Sequence, residues 1–217
     1  MLNLKFDLNQ KKGLKLLFFG AHCDDIEIGC GGTILKMVNQ YKISEVKWVV
    51  FASNNDRKKE AIKGADFFLT NVTHKEIVIL DYRDAFLNQS SLEIKEFFES
   101  VKRNYDPDVI FTHYRDDRHQ DHRLISDLTW NTFRDHLVLE YEIPKYDGDL
   151  GLPNTFFKLS EKQAKEKVKF IIDSYGSQAG KHWFDEGTFL SLMRIRGLES
   201  ANTSKYSEAF YLRKSVM

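Results

Sequence analysis

Short apolar runs at 14–19, 46–52, 77–80, 109–112 and 138–141 alternate with helix-like stretches through the first two thirds of the chain. Two parallel strands can be joined only by a crossover, usually a helix, so this alternation restricts the chain to an α/β fold. The expectation is a three-layer sandwich with a mostly parallel sheet and helices on both faces. The first helix is expected over 33–40, after a loop. Asn54-Asn55-Asp56 offers a start for a second at 57–69. Ser90-Ser91-Leu92-Glu93 reads as a capping box for a third that runs to about Tyr105. Asp106-Pro107-Asp108 stops that helix, because proline lacks the N–H that would continue it. Beyond residue 141 the chain reads as a loop over 142–154, a strand at 156–159, a helix capped by Ser160 with Gln163, a helix over 185–195 and a last strand at 208–212.

A chain of 217 residues is long enough to bury a full core, and the expected organisation is one domain over 1–217. Its 32 basic and 32 acidic residues cancel, so no global field favours nucleic acid or an anionic membrane. The start at Met1 lacks the apolar core of a secretory signal, and no apolar run reaches the length of a membrane span, which makes a cytoplasmic location the expectation. Residues 1–13 read as a loose start. Cys23 and Cys30 match no structural zinc spacing, and reduced thiols are expected.

Chemistry-bearing residues crowd into two places, each after a strand and before a helix. The first is Ala21-His22-Cys23-Asp24-Asp25-Ile26-Glu27-Ile28-Gly29-Cys30-Gly31-Gly32-Thr33. The second is His113-Tyr114-Arg115-Asp116-Asp117-Arg118-His119-Gln120-Asp121-His122-Arg123. In an open α/β sheet both lie at the carboxyl edge, where ligands bind, so they can meet. A catalytic divalent metal takes three protein ligands and keeps a position for water, and His22, Asp25 and His122 can supply that set. Asp24 and Asp121 then become a proton acceptor and a group that orients a ligand.

Each residue also has an ordinary reading. Asp24 or Asp25 can cap the following helix, and His119 and His122 can be surface residues at a helix start. Gly29-Cys30-Gly31-Gly32 lacks the spacing of a dinucleotide fingerprint, which leaves close helix-to-sheet packing for the glycines. Cys23 is a candidate thiolate ligand or nucleophile without a partnering base. Arg57 can pair with Glu60 on one helical turn, worth less than about 1 kcal/mol, or bind substrate together with Asp84.

Taken together, these residues resemble the PIG-L/LmbE-like zinc-dependent N-acetylglucosaminyl deacetylases. Ala21 to Thr33 reproduces that family's A-H-P-D-D-x-E-x-G-x-G-G-T motif with Cys23 in place of the proline, and His119-Gln120-Asp121-His122 reproduces its H-x-D-H motif. A looser third motif, R-x-x-E, resembles Arg57-Lys58-Lys59-Glu60. The resemblance implies a Rossmann-like fold and one Zn2+ per chain, held by His22, Asp25 and His122. It further implies Asp24 as general base, His119 as oxyanion stabiliser or acid, and Asp121 as the residue that holds a histidine tautomer.

The function expected on these grounds is removal of the N-acetyl group from an N-acetylated amino sugar or its conjugate by metal-activated water. The substrate is then a small N-acetylated sugar or glycoconjugate, with no nucleic acid and no membrane span, and a homo-oligomer stays open. Two alternatives stand beside it: a metal-dependent hydrolase of another amide or ester, and a non-catalytic Rossmann-like binder of sugars or nucleotides.

Overall fold

A computed structural model describes residues 3–6 and 11–216; most of the loose start expected at 1–13 lies outside the described residues. In chain order the elements are β1 (Leu14–Gly20), α1 (Asp25–Gln40), β2 (Ile43–Ala52), α2 (Asn55–Phe68), β3 (Lys75–Tyr82), α3 (Ser91–Asn104) and β4 (Val109–His113). They continue with α4 (Gln120–Thr132), β5 (Leu137–Tyr141), β6 (Thr155–Leu159), α5 (Glu161–Ser174), α6 (Glu186–Glu199) and β7 (Tyr206–Leu212). The seven strands form one sheet in the order β3-β2-β1-β4-β5-β7-β6. Pairings among β1 to β5 are parallel, while β7 runs antiparallel to both β5 and β6.

The inner strands are buried on both sides, so their alternating residues feed two cores. Leu16 and Phe18 point into one, with Trp48, Phe111 and side chains from α1, α2, α5 and α6. Leu17 and Phe19 point into the other, with Phe51, Phe98 and Ile125 beneath α3 and α4. This is the expected three-layer α/β architecture. The chain leaves β1 toward β2 and β3, then returns to build β4 and β5 on the opposite side. The carboxyl ends of β1 and β4 therefore flank the switch point, where such sheets open a crevice. No described helix is long and apolar enough to cross a membrane.

Two local expectations are corrected. Ser90 makes no capping bond; a 3-10 turn over Leu87–Ser90 leads directly into α3 and removes the need for one. The other capping signals form: Asn54 accepts from the Asp56 and Arg57 N–H groups, and Ser160 and Gln163 make a full capping box.

The larger correction concerns α1, which begins at Asp25, not near residue 33, and so contains all three glycines of the first motif. It is kinked at Cys30, whose φ of −143° and ψ of 15° leave the helical region. A kink frees backbone groups, and buried free groups are costly. Here two distant side chains satisfy them. Glu208 of β7 accepts from the N–H groups of Gly32 (2.9 Å) and Thr33 (2.6 Å), and Lys167 of α5 donates to the Ile28 carbonyl (2.6 Å) and to Glu208 (2.5 Å). The glycines have the expected packing role: a Cβ on Gly29 would lie 2.2 Å from the Tyr141 ring, and one on Gly32 would lie 2.5 Å from Leu159.

Candidate active site

The two dense stretches meet over the switch point. His22 follows β1, Asp25 opens α1, and His122 lies in the first turn of α4. His22 Nδ1 is 3.2 Å from His122 Nε2 and 3.3 Å from Asp25 Oδ2, and His122 Nε2 is 3.5 Å from Asp25 Oδ1. All three side chains are nearly inaccessible to solvent.

Their outer contacts fix which ring nitrogens carry hydrogen. His22 Nε2 faces two carboxylates, Asp84 Oδ1 at 3.1 Å and Asp121 Oδ2 at 3.2 Å, so it is the donor and Nδ1 keeps its lone pair. His122 Nδ1 donates to Asp117 Oδ2 (2.9 Å), which leaves the Nε2 lone pair turned inward. Two imidazole lone pairs thus face the Asp25 carboxylate, whose Oδ2 accepts the His22 backbone N–H (2.6 Å), with no ring N–H turned toward it. Such an arrangement calls for a cation or a captured proton. The N,N,O donor set suits a divalent metal, zinc included, and leaves room in its coordination for water.

Without a cation, the same groups favour a captured proton on His22. Burial opposes a charge on His22, but Asp25, Asp121 and Asp84 outweigh it and hold its pKa well above the usual imidazole value. Burial, reinforced by His113, pushes His122 down to about 3. Burial also opposes ionisation of Asp25, yet His122, His113 and His22 hold its carboxyl well below the usual range.

The helix-capping alternative for Asp24 does not hold, since it occupies the N-cap position of α1 without a capping bond. Its Oδ1 instead accepts from Arg57 Nη2 (2.9 Å), and Arg57 Nη1 reaches Asp84 Oδ2 (3.2 Å). The Arg57–Glu60 surface pair is absent, because Glu60 binds the Ser177 N–H (2.9 Å). Asp84 is the outermost of these groups, its side chain 55% exposed at the mouth. Burial raises Asp24 above the usual carboxyl pKa, with Arg57 opposing.

His119 caps α4, its Nδ1 accepting from the Asp121 N–H (3.3 Å), so its proton resides on Nε2. Asp121 is fully buried; beyond His22 it accepts from the N–H groups of Ala85 (2.8 Å) and Leu87 (3.2 Å). Those bonds hold Ala85 in the left-handed region, at φ 66°, beside Asp84. Cys23 stands apart from the cluster. Its buried thiol faces the Ala52 carbonyl (3.4 Å), burial pushes its pKa up, and both cysteines are free thiols, as expected.

Three partners of the cluster are not singled out by sequence reasoning. Asp117, not Asp121, is the carboxylate on His122. His113 ends β4, stacks on the His122 ring at 4.0 Å and accepts the Ala21 N–H at Nε2 (2.9 Å). Lys145, in the 142–154 segment, donates to Asp117 (2.8 Å). The first two lie within the second dense stretch, so their density there was a usable signal. Lys145 lies in the 141–149 stretch, which also looks similar to bacterial members of the PIG-L/LmbE-like family but to which sequence reasoning attaches no role.

Comparison with known proteins follows this geometry. The fold resembles N,N'-diacetylchitobiose deacetylase from Pyrococcus horikoshii, at a TM-score of 0.69 and 20% identity, covering 96% of this chain and 87% of that one. A zinc-inhibited form of the teicoplanin deacetylase Orf2 matches at a TM-score of 0.70 and 14% identity, covering 91% and 97%. The 4-carboxy-2-hydroxymuconate hydratase GalB from Pseudomonas putida matches at 0.69 and 15%, covering 94% and 98%. At these identities the likeness concerns the fold. The family model for PIG-L, described as GlcNAc-PI de-N-acetylase, matches residues 17–133, a span that carries both dense stretches and the clustered His22, Asp25 and His122. With more than half of its length matched, the chain belongs to the PIG-L family of deacetylases.

Proposed function

We propose that this chain is a zinc-dependent N-deacetylase that releases acetate from an N-acetylated amino sugar or its conjugate. The observation that carries the reading is the meeting of His22 Nδ1 and His122 Nε2 with the Asp25 carboxylate in one buried cluster. On this reading those three residues hold one divalent cation. A cation held there supplies Lewis acidity, which polarises the acetyl carbonyl and lowers the pKa of water toward about 7.

The chain's own residues do the rest. Asp24 takes the proton of the attacking water and returns it to the departing amine, which leaves poorly unless protonated. A carboxyl raised by burial suits both directions of that transfer, and Arg57 aims it and opposes the rise. His119 presents a neutral Nε2–H to the developing oxyanion, a contribution of roughly 3 to 4 kcal/mol for one good donor. Asp121 orients His22 through its side chain and His119 through its backbone N–H. Arg57 and Asp84 form the substrate side of the pocket, where the exposed Asp84 carboxylate can accept from sugar hydroxyls.

A second reading keeps the same water-activating groups but has them act on another amide or ester, because a bound cation and a carboxylate base do not by themselves choose the acyl group. A panel of N-acetylated sugars and nucleotide sugars, set beside simple amides and esters, separates the two. Acetate release from the sugars, abolished by a chelator and restored by zinc, is the expected outcome; release only from the other substrates favours the second reading. Asp24→Ala should retain metal while losing about 10²–10⁴ in turnover. Near-native turnover would place the base elsewhere, and no activity on the whole panel from metal-loaded protein would leave the non-catalytic binder.

A further inference from the structure

Asp117 touches both histidines of the second motif. Its Oδ1 accepts the His119 N–H (2.8 Å), and its Oδ2 accepts His122 Nδ1–H (2.9 Å). The same Oδ2 accepts from Lys145 Nζ (2.8 Å). Lys145 also pairs with Asp149 (2.6 Å), whose carboxylate accepts the Arg118 N–H (2.7 Å) on the turn that carries Asp117. The three side chains are 2%, 11% and 7% exposed for Asp117, Lys145 and Asp149, so this is a buried network and not a surface pair.

We propose that Lys145 is a positioning residue: it clasps the 142–154 segment onto the 116–119 turn and so fixes Asp117, which sets His122 as a metal ligand and His119 as an oxyanion donor. The proposal rests on the reading of His122 as a ligand given above. The sign of its effect follows from charge. One ammonium lies between two buried carboxylates, and without it Asp117 and Asp149 repel across a poorly solvated gap. The repulsion has a soft outlet in the middle of the 142–154 segment, which has no regular secondary structure and exposes Tyr146, Leu150 and Leu152, while Arg196 holds Glu142 and the Gly151 carbonyl. As that segment lifts, Asp117 gains freedom to turn, and a ligating histidine loses the partner that aims its ring. Loss of such an outer partner typically weakens metal binding about 10- to 100-fold. Arginine keeps the charge and reach, so it should substitute for Lys145. Removing the charge of Asp149 should relieve the repulsion.

The test uses the full chain with cobalt(II) as a spectroscopic stand-in for zinc. Hydrogen exchange over 142–154 in the metal-free protein reads the clasp; the visible ligand-field spectrum and the cobalt dissociation constant read its effect on the metal centre. Lys145→Met should speed exchange in that segment, alter the spectrum and raise the dissociation constant about tenfold or more. Lys145→Arg should restore all three, and Lys145→Met with Asp149→Asn should restore them in part. Unchanged exchange in Lys145→Met overturns the clasp. Faster exchange with an unchanged spectrum and affinity overturns the positioning of His122. If Lys145→Met does not fold, Lys145→Arg and Asp149→Asn carry the test, and altered cobalt spectra in a well-folded Lys145→Arg would count against the proposal. A wild-type chain that takes up no cobalt fails the metal reading itself, a result distinguishable because the exchange comparison does not depend on metal.

Discussion

Two buried charge clusters lie against the same helix. At the start of α1, His22, Asp25 and His122 turn acceptors toward one another. At its kink, Lys167 and Glu208 match donors with acceptors: two N–H groups meet a carboxylate, and a carbonyl and that carboxylate meet an ammonium. A matched buried cluster is complete within the chain and does structural service. An unmatched one is costly unless something outside the chain completes it. The mismatch, more than the mere presence of histidines, is what marks the first cluster as a site.

That contrast can be broken from the structural side first. Lys167→Met strands Glu208 in the core and should lower the unfolding free energy by about 3–5 kcal/mol in urea titrations, the usual consequence of an uncompensated buried charge. A loss below about 1 kcal/mol would mean that the kink is held by packing alone.

From the functional side the effect is smaller and depends on added metal. Zinc at about 100 times its dissociation constant should stabilise the wild-type chain by about 2.7 kcal/mol, and a chelator should reverse it. Asp25→Ala should show no such shift in melting experiments; a full shift in that variant would remove Asp25 from the ligand set.

The smallest effect sharpens the boundary of the unmatched cluster. Cys23→Ala removes one thiol contact to the Ala52 carbonyl, so stability should fall by about 1 kcal/mol while metal content stays unchanged. Loss of metal would make the thiol a ligand after all.

The sequence made the layered fold legible because β1, β2, β4 and β5 are apolar runs of the right length, separated by stretches with helical periodicity. It brought His22, Asp25 and His122 together because both motifs sit at strand ends. It did not show that α1 begins at Asp25: three glycines in four residues argue locally against a helix, and the side chains that make it viable come from positions 167 and 208. Asp117 escaped notice for a related reason. Asp121 has the motif position, but it faces His22 across the pocket, and the carboxylate on His122 comes from five residues upstream. Long-range partners such as Lys145 leave no local pattern to read.

The kink in α1 also bears on the order in which the site is made. His22 to Thr33 emerges during synthesis well before residue 208, whose carboxylate satisfies the Gly32 and Thr33 N–H groups. Until β7 has been synthesised and inserted between β5 and β6, the helix that presents Asp25 lacks its closing contacts. Asp25 therefore waits for β7, the last strand in chain order. The helix start that carries Asp25 is completed only as the whole sheet closes.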